Sequence, residues 1–136
     1  MLGQCLKMRR ILVIHPDLVL RDELTFSLQH SGFQVIGASD GQQALTEVYS
    51  RHLDVIVVSE SSHRLNGDEL CVRLRQICQA PIIILGKGSK EISGIDFIEM
   101  GADAYLASPF NLRELLAWIR SLLRRTQANA ADFEGG

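Results

Sequence analysis

Short apolar runs alternate along the chain with longer segments in which apolar residues recur every three or four positions. The runs are rich in β-branched residues and predict five strands, at 9–14, 33–37, 54–58, 82–85 and 103–107. The segments between them predict four helices, and a long fifth helix follows the last strand. A regular alternation of strand and helix is typical of an α/β fold with a parallel, doubly wound sheet.

Capping residues precede most of the predicted helices. Asp17 stands before the helix that carries Leu20, Leu24 and Leu28 on one face. Capping-box pairs open three other helices: Asp40 with Gln43, Asn66 with Glu69, and Asn111 with Glu114. The helical periodicity stops at Thr126. The sequence therefore predicts one folded domain over residues 1–125, followed by a linker or tail over 126–136.

The composition fits one soluble domain, with 136 residues, 46% of them apolar, and a net charge of −2. The chain lacks the basic footprint of a segment that itself binds nucleic acid. No apolar run has the length of a signal peptide or a membrane span, so we expect a cytoplasmic protein. Three cysteines at 5, 71 and 78 show no metal-binding spacing, and Cys71 and Cys78 are expected to be core thiols.

Several of these stretches together resemble a two-component response-regulator receiver domain, over residues 9–125. They are Ile11-Leu-Val-Ile-His-Pro-Asp17, Asp54-Val-Ile-Val-Val-Ser59, Asn66-Gly67, Pro81-Ile-Ile-Ile-Leu85, Gly101-Ala-Asp-Ala-Tyr-Leu106, Pro109-Phe110 and Arg113-Glu-Leu-Leu116. The resemblance implies a flavodoxin-like (βα)5 sheet with strand order 2-1-3-4-5. The segment 122–126 is similar to the OmpR/PhoB-type subfamily, in which a linker leads to a winged-helix DNA-binding domain.

The chain departs from the family at every position that handles the phosphoryl group. The resemblance places His15 and Pro16 where two carboxylates hold Mg²⁺, and Ser59 where an aspartate accepts the phosphoryl group. Gly86 stands in place of a hydroxyl residue, and Ser108 in place of a lysine. The family's aromatic switch position keeps its type, as Tyr105.

These departures remove the chemistry of phosphoryl transfer, which needs a bound cation and an activated nucleophile. We therefore expect no metal, no cofactor and no enzymatic activity. The resemblance then implies an atypical receiver that regulates an attached DNA-binding transcriptional regulator without aspartate phosphorylation. The alternative is a stand-alone or hybrid-kinase receiver that acts as a protein–protein docking module. A sensor kinase or another protein is the expected partner in either case.

Three other interpretations concern the same region. His15, Asp17, Glu60 and His63 could bind a transition metal, although solvated loop residues are the simpler interpretation. A nucleophile–base pair of Ser59 and His15 has little support, because no Gly-x-Ser-x-Gly motif surrounds the serine. Tyr105 either alternates between buried and exposed rotamers or packs half-buried against the last helix, and the sequence leaves both open.

The subfamily resemblance also implies a homodimer through the fourth helix, fifth strand and fifth helix. Glu99 and Arg120 keep the charges of one pair on that face, whereas Gly94 replaces the basic partner expected for Glu114. Ala104 and Trp118 stand where the subfamily has an aspartate and an arginine. Trp118 falls off the apolar stripe, so it either contacts Ala104 of a second chain or covers Ala104 within one chain. The family further implies a cis Ser108–Pro109 bond.

Overall fold

The computed structural model describes residues 8–65, 67–87 and 94–135, with side chains except at 63–65, 67–69 and 127–135. Five parallel strands form one sheet in the order β2-β1-β3-β4-β5, as predicted. They are β1 (Arg10–Ile14), β2 (Gln34–Ala38), β3 (Val55–Ser59), β4 (Ile82–Gly86) and β5 (Ala104–Ala107). The crossovers hold α1 (Leu18–His30), α2 (Gly41–Ser50), α3 (Gly67–Ile77) and α4 (Gly94–Glu99), and α5 (Leu112–Gly135) follows β5.

The two faces of the sheet carry separate cores. On one face, alternate strand residues such as Leu12, Ile56 and Ile84 pack with α2, α3 and the buried Phe97 of α4. On the other face, residues such as Val13 and Val57 pack with α1 and α5. Every residue of β3 and β4 is buried, as expected for central parallel strands covered on both sides. Their carboxyl ends are thereby fixed in one place, which determines where a site can form.

The helix starts follow the sequence signals closely. Asp17 accepts a hydrogen bond from Leu20 N at 3.1 Å, and Asp40 accepts one from Gln43 N at 2.9 Å. Asn111 likewise accepts one from Glu114 N at 2.7 Å. The predicted capping box at 66–69 lies outside the residues whose side chains are described. Each observed cap satisfies a backbone donor that the first turn leaves without an intrahelical partner.

The predicted helix α1 is present, and the predicted end of the last helix is wrong. On α1, Leu20 is 45% exposed, Leu24 is half-buried and Leu28 is fully buried. The helix α5 continues to Gly135 and does not end at Thr126. Alanine has the highest helix propensity of all residues, and several alanines follow Thr126. The helix therefore continues where its apolar periodicity stops. Residues 126–135 are therefore helical, and their role as a linker stays a prediction.

The remaining fold expectations concern cysteine and proline. Cys71 is fully buried in the core and Cys78 is half-buried beside it, which confirms the prediction of core thiols. Burial raises the pKa of the Cys71 thiol to about 11. The Ser108–Pro109 peptide bond is cis, as the family resemblance implied. In the part of the chain that the structure describes, no helix is long and apolar enough to cross a membrane.

Candidate functional site at the carboxyl edge of the sheet

The strand register brings the predicted site residues to one edge of the sheet. Ile14 pairs with Val58, so His15 follows β1 beside Ser59, the last residue of β3. Ser59 pairs with Leu85, and Gly86 pairs with Ala107, which places Ser108 directly beyond β5. This edge includes the point between β1 and β3 where the strand order reverses, which is where open α/β sheets bind ligands.

A cleft of about 520 Å³ opens at this edge, between α1 and the segment that joins β5 to α5. The predicted positions His15, Ser59, Gly86 and Ser108 all line it, whereas Pro16 is exposed beside it. Its walls are largely apolar, and they are formed by Leu20, Leu24, Leu85, Pro109, Phe110 and Leu112. Glu23 supplies the only carboxylate among the described lining residues. The described lining thus offers few of the hard oxygen ligands that Mg²⁺ prefers.

Ser59 has a defined set of local hydrogen bonds. The residue is 4% exposed, and its Oγ accepts a hydrogen bond from Ser61 N at 3.1 Å. The same Oγ lies 3.0 Å from Ser61 Oγ. Both interactions are made within the turn that follows β3, so the hydroxyl is used to order its own loop. A serine hydroxyl is a weak nucleophile unless a base takes its proton, and the described hydrogen bonds of Ser59 Oγ include no base.

His15 is not placed to act as that base. Its Nδ1 accepts a hydrogen bond from Asp17 N at 3.1 Å, which requires the neutral ring to carry its proton on Nε2. Desolvation by burial lowers the pKa of His15; the nearby Asp17 carboxylate raises it and the Arg21 guanidinium lowers it. The imidazole therefore supports the start of α1 through its Nδ1, and this nitrogen is not free to take a proton from Ser59.

The metal interpretation gains no support from the described side chains. Among them, no group of three or more histidine, cysteine, aspartate or glutamate side chains could hold a metal ion. The side chain of His63 lies outside the described set. Asp17 instead caps α1 through Oδ1, which accepts from Leu20 N. The Glu60 carboxylate instead accepts hydrogen bonds from Lys87 N and from the Tyr105 hydroxyl.

Sequence reasoning considered Glu60 only as a metal ligand and missed its burial. It follows Ser59 in a run of polar residues that reads as a solvated loop, yet it is 2% exposed. Its Oε1 accepts hydrogen bonds from Lys87 N at 2.9 Å and from the Tyr105 hydroxyl at 3.2 Å. Its partners lie 27 and 45 residues away along the chain, so no local pattern could reveal them.

Tyr105 lies on the opposite face of the sheet from the last helix. It packs against the core that includes Phe97, and the two rings stack with centroids 5.7 Å apart at 18°. Of the two alternatives that the sequence left open, packing of Tyr105 against the last helix is therefore wrong. Side chains alternate between the two faces of a strand, so Ala104 and Leu106 face α5 while Tyr105 faces α4.

The predicted dimer face is only partly available to a second chain. Glu99, Glu114 and Arg120 are exposed, and none of them forms a salt bridge within the described part of the chain. Trp118 is partly buried against the core cluster that contains Ala104. Ala104 itself is 2% exposed, so it cannot contact Trp118 of another chain. The proposed intermolecular Trp118–Ala104 contact is therefore wrong, because Ala104 faces the core beneath α5.

Comparison with known proteins identifies the family. The model of the response regulator receiver domain matches residues 11–120, and the chain belongs to this family. Over 93% of its length it is 35% identical to the alkaline phosphatase synthesis transcriptional regulatory protein PhoP of Bacillus subtilis, covering 53% of that protein. Over 88% of its length it is 39% identical to the transcriptional regulatory protein CpxR of Escherichia coli, covering 51% of that protein.

A solved structure supports the same assignment. The receiver domain of the Francisella response regulator 1452 superposes with a TM-score of 0.80 at 31% identity, covering 87% of this chain and 98% of that one. The chain thus has the fold of a receiver domain, and its curated relatives are OmpR/PhoB-type transcriptional regulators. It spans about half the length of these relatives.

Proposed function

We propose that this chain is an atypical receiver that regulates an attached output domain in the cytoplasm without phosphorylation of an aspartate. The observation that carries the proposal is Ser59 at the end of β3, buried and hydrogen-bonded within its own turn. A phosphoryl acceptor must be an exposed, in-line nucleophile beside a cation. Ser59 meets neither condition, and the cleft offers only Glu23 as a carboxylate among its described lining residues.

The other positions support the same proposal. Gly86 has no side chain with which to contact a phosphoryl oxygen, and Ser108 carries no charge. Lys87 is exposed next to Gly86, but its backbone N–H is hydrogen-bonded to the carboxyl group of Glu60. A single exposed lysine is a weak substitute for a metal ion, because a divalent cation gathers several oxygens at once.

The output domain is proposed from the relatives. PhoP and CpxR are named transcriptional regulators, and this chain corresponds to about half of each. The attached domain would then bind DNA, and a homodimer through α4, β5 and α5 would present two such domains together. The receiver itself has a net charge of −2, which is consistent with DNA binding by another part of the protein.

A docking module remains the second candidate. Val19 is 65% exposed and Phe26 is 68% exposed, and both belong to α1. Apolar side chains that are exposed on one helix are a common feature of protein-binding surfaces. The sequence encoded beyond residue 136 separates the two candidates, since a winged-helix segment there favours a transcriptional regulator and a kinase core favours a docking role.

The proposal is tested by incubation of the chain with acetyl phosphate and Mg²⁺, followed by intact-mass measurement. We expect no mass increase, and no change in Trp118 fluorescence on addition of beryllofluoride. The positive control is the triple variant with His15→Asp, Pro16→Asp and Ser59→Asp, which restores the three carboxylates. A stable phosphoryl adduct on any carboxylate of the unmodified chain would contradict the proposal.

A further inference from the structure

The side chain of Tyr105 connects β5 to the ends of β3 and β4 through one buried acid. Its hydroxyl donates a hydrogen bond to Glu60 Oε1, which also accepts one from Lys87 N. Glu60 follows β3, Lys87 follows β4 and Tyr105 belongs to β5. Glu60 is 2% exposed, and a buried acceptor that loses a hydrogen bond has no water to replace it. The hydroxyl group of Tyr105 is therefore held by the Glu60 carboxylate, which is itself held by Lys87 N.

Two glycines make the space that the ring occupies. A Cβ atom at Gly86 would overlap the hydroxyl oxygen and Cζ of Tyr105, and it would lie 2.6 Å from Cε2. A Cβ atom at Gly94 would lie 2.8 Å from Cδ1 of the same ring. Neither glycine adopts a positive φ, so the backbone does not require glycine at either position. The tyrosine ring is what excludes a side chain from both.

The inner side of the ring is held by packing. Phe97 of α4 is fully buried and stacks on Tyr105. If Tyr105 swung outward, it would leave a cavity beside Phe97 and remove a hydrogen bond from Glu60. Each change disfavours the outward rotamer, because tightly packed aromatic rings and satisfied buried acceptors both stabilise the arrangement that contains them.

We propose that Glu60 locks Tyr105 in this one position, in a space that Gly86 and Gly94 leave open, so that the chain carries a permanent connection between the site edge, β5 and α4. We call these four residues the Tyr105 latch. The regulatory part of this inference rests on the proposed function. A tyrosine that stays in one position does not make the movement that a phosphoryl group would drive. Glu60 acts in it as a positioning residue, since it holds Tyr105 and Lys87 N through its Oε1.

The first test uses the two tyrosines of the chain against each other. Tyr49 is 71% exposed on α2 and serves as an internal reference for nitration by tetranitromethane, read by peptide mass mapping. If the outward state of Tyr105 is populated at about a tenth or less, its nitration should be slower than that of Tyr49 by a factor of about ten or more. Equal rates at the two tyrosines would overturn the latch.

Variants of Glu60 test the positioning role. In Glu60→Gln the side-chain oxygen still accepts from Tyr105 and Lys87, so protection of Tyr105 should be retained. In Glu60→Leu the acceptor is lost at nearly the same volume, so nitration of Tyr105 should accelerate while that of Tyr49 stays unchanged. Unchanged protection of Tyr105 in a folded Glu60→Leu variant would overturn the role of Glu60.

A double-mutant cycle tests the glycines. Gly86→Ala should lower the urea midpoint of unfolding in the unmodified chain, and it should not lower it in a Tyr105→Ala background, where the ring is absent. Equal losses in the two backgrounds would contradict the latch. If Gly86→Ala fails to fold while Tyr105→Ala with Gly86→Ala folds, the proposal is supported. Gly94→Ala gives the same cycle with a milder overlap.

The outcomes separate the latch from the proposed function. A chain that takes up a phosphoryl group while Tyr105 stays protected would overturn the proposed function and support the latch. A chain that takes up none while Tyr105 reacts as fast as Tyr49 would overturn the latch alone. Protection of Tyr105 that is unaffected by acetyl phosphate and Mg²⁺ is the expected result.

Discussion

The imidazole Nδ1 of His15 accepts a hydrogen bond from the backbone N–H of Asp17, at 3.1 Å. The contact joins the end of β1 to the residue that caps α1, since Asp17 Oδ1 accepts from Leu20 N. The carbonyl of His15 also accepts from the guanidinium of Arg21 at 2.7 Å. The residue that stands where the family has a carboxylate for Mg²⁺ therefore supports the start of a helix.

The first prediction is a pH dependence of stability from His15. Burial lowers its pKa below 6.5 in the folded chain, so the unfolded chain binds the proton more readily. The contribution of His15 to stability is therefore fully present above about pH 6.5 and is lost as the pH falls through the folded-state pKa. We expect the urea midpoint of unfolding to fall from pH 7.5 to pH 5 by more in the unmodified chain than in His15→Asn.

Asparagine is the matched control for this experiment. Its side-chain oxygen can still accept from Asp17 N, and it does not titrate in this range. Other titrating groups contribute equally to both proteins, so the difference between the two pH profiles isolates His15. Parallel profiles between pH 7.5 and pH 5 would contradict the lowered pKa.

The second prediction concerns Mg²⁺. Ser59→Asp alone should not give millimolar affinity, because His15 and Pro16 still supply no carboxylate and Mg²⁺ binds hard oxygen ligands. The triple variant His15→Asp, Pro16→Asp, Ser59→Asp should bind it in the millimolar range. Trp118 fluorescence and NMR shifts during a Mg²⁺ titration measure both. A millimolar response in the unmodified chain, or in Ser59→Asp alone, would refute this prediction.

The features that the sequence predicted well are those with local causes. The cap between Asp40 and Gln43 spans three residues, and the burial of β3 follows from an unbroken run of apolar residues. Strand order was implied by the family resemblance and is confirmed. The same topology places Ser59 and Ser108 at one edge, because the carboxyl ends of parallel strands lie at the same edge of the sheet.

The features that were missed depend on contacts between distant parts of the chain. Glu60 is buried because Tyr105 and Lys87 approach it from other strands, and a run of serines around it conceals this. The burial of Ala104 was predictable, since the period of two in β5 places it on the same face as the core residue Leu106. The continuation of α5 beyond Thr126 was not, because alanine propensity maintains a helix without an apolar stripe.

The third prediction is a homodimer through α4, β5 and α5. With Ala104 buried, the apolar part of this face is supplied by α4, where Ile95 is 72% exposed and Ile98 is 45% exposed. Glu99 is exposed beside them, and Arg120 is exposed on α5. In a two-fold symmetric dimer each residue contributes twice, so Glu99 of each chain can pair with Arg120 of the other around an apolar centre.

Substitution of Ile95 tests this interface. Ile95→Lys places a charge in the apolar centre of each subunit, and a loss of about 1 kcal/mol per copy would weaken the dimer by about thirtyfold. Val19→Lys is the matched control, because Val19 is 65% exposed on α1, which covers the opposite face of the sheet from α4. Trp118→Arg should weaken the dimer less than Ile95→Lys, because Trp118 is partly buried within its own chain.

Sedimentation velocity at high micromolar concentration measures the effect. We expect a dimer for the unmodified chain and for Val19→Lys, and a monomer for Ile95→Lys. The dimer should weaken only mildly between low and high salt, since screening acts on the Glu99–Arg120 pairs and not on the apolar centre. A monomeric unmodified chain, or an Ile95→Lys variant that dimerises as well as Val19→Lys, would exclude this face. The result also bears on regulation. Phe97 of α4 stacks on Tyr105, and Ile95 and Ile98 belong to the same helix. A locked tyrosine would therefore hold these two isoleucines in position for the dimer without any phosphoryl signal.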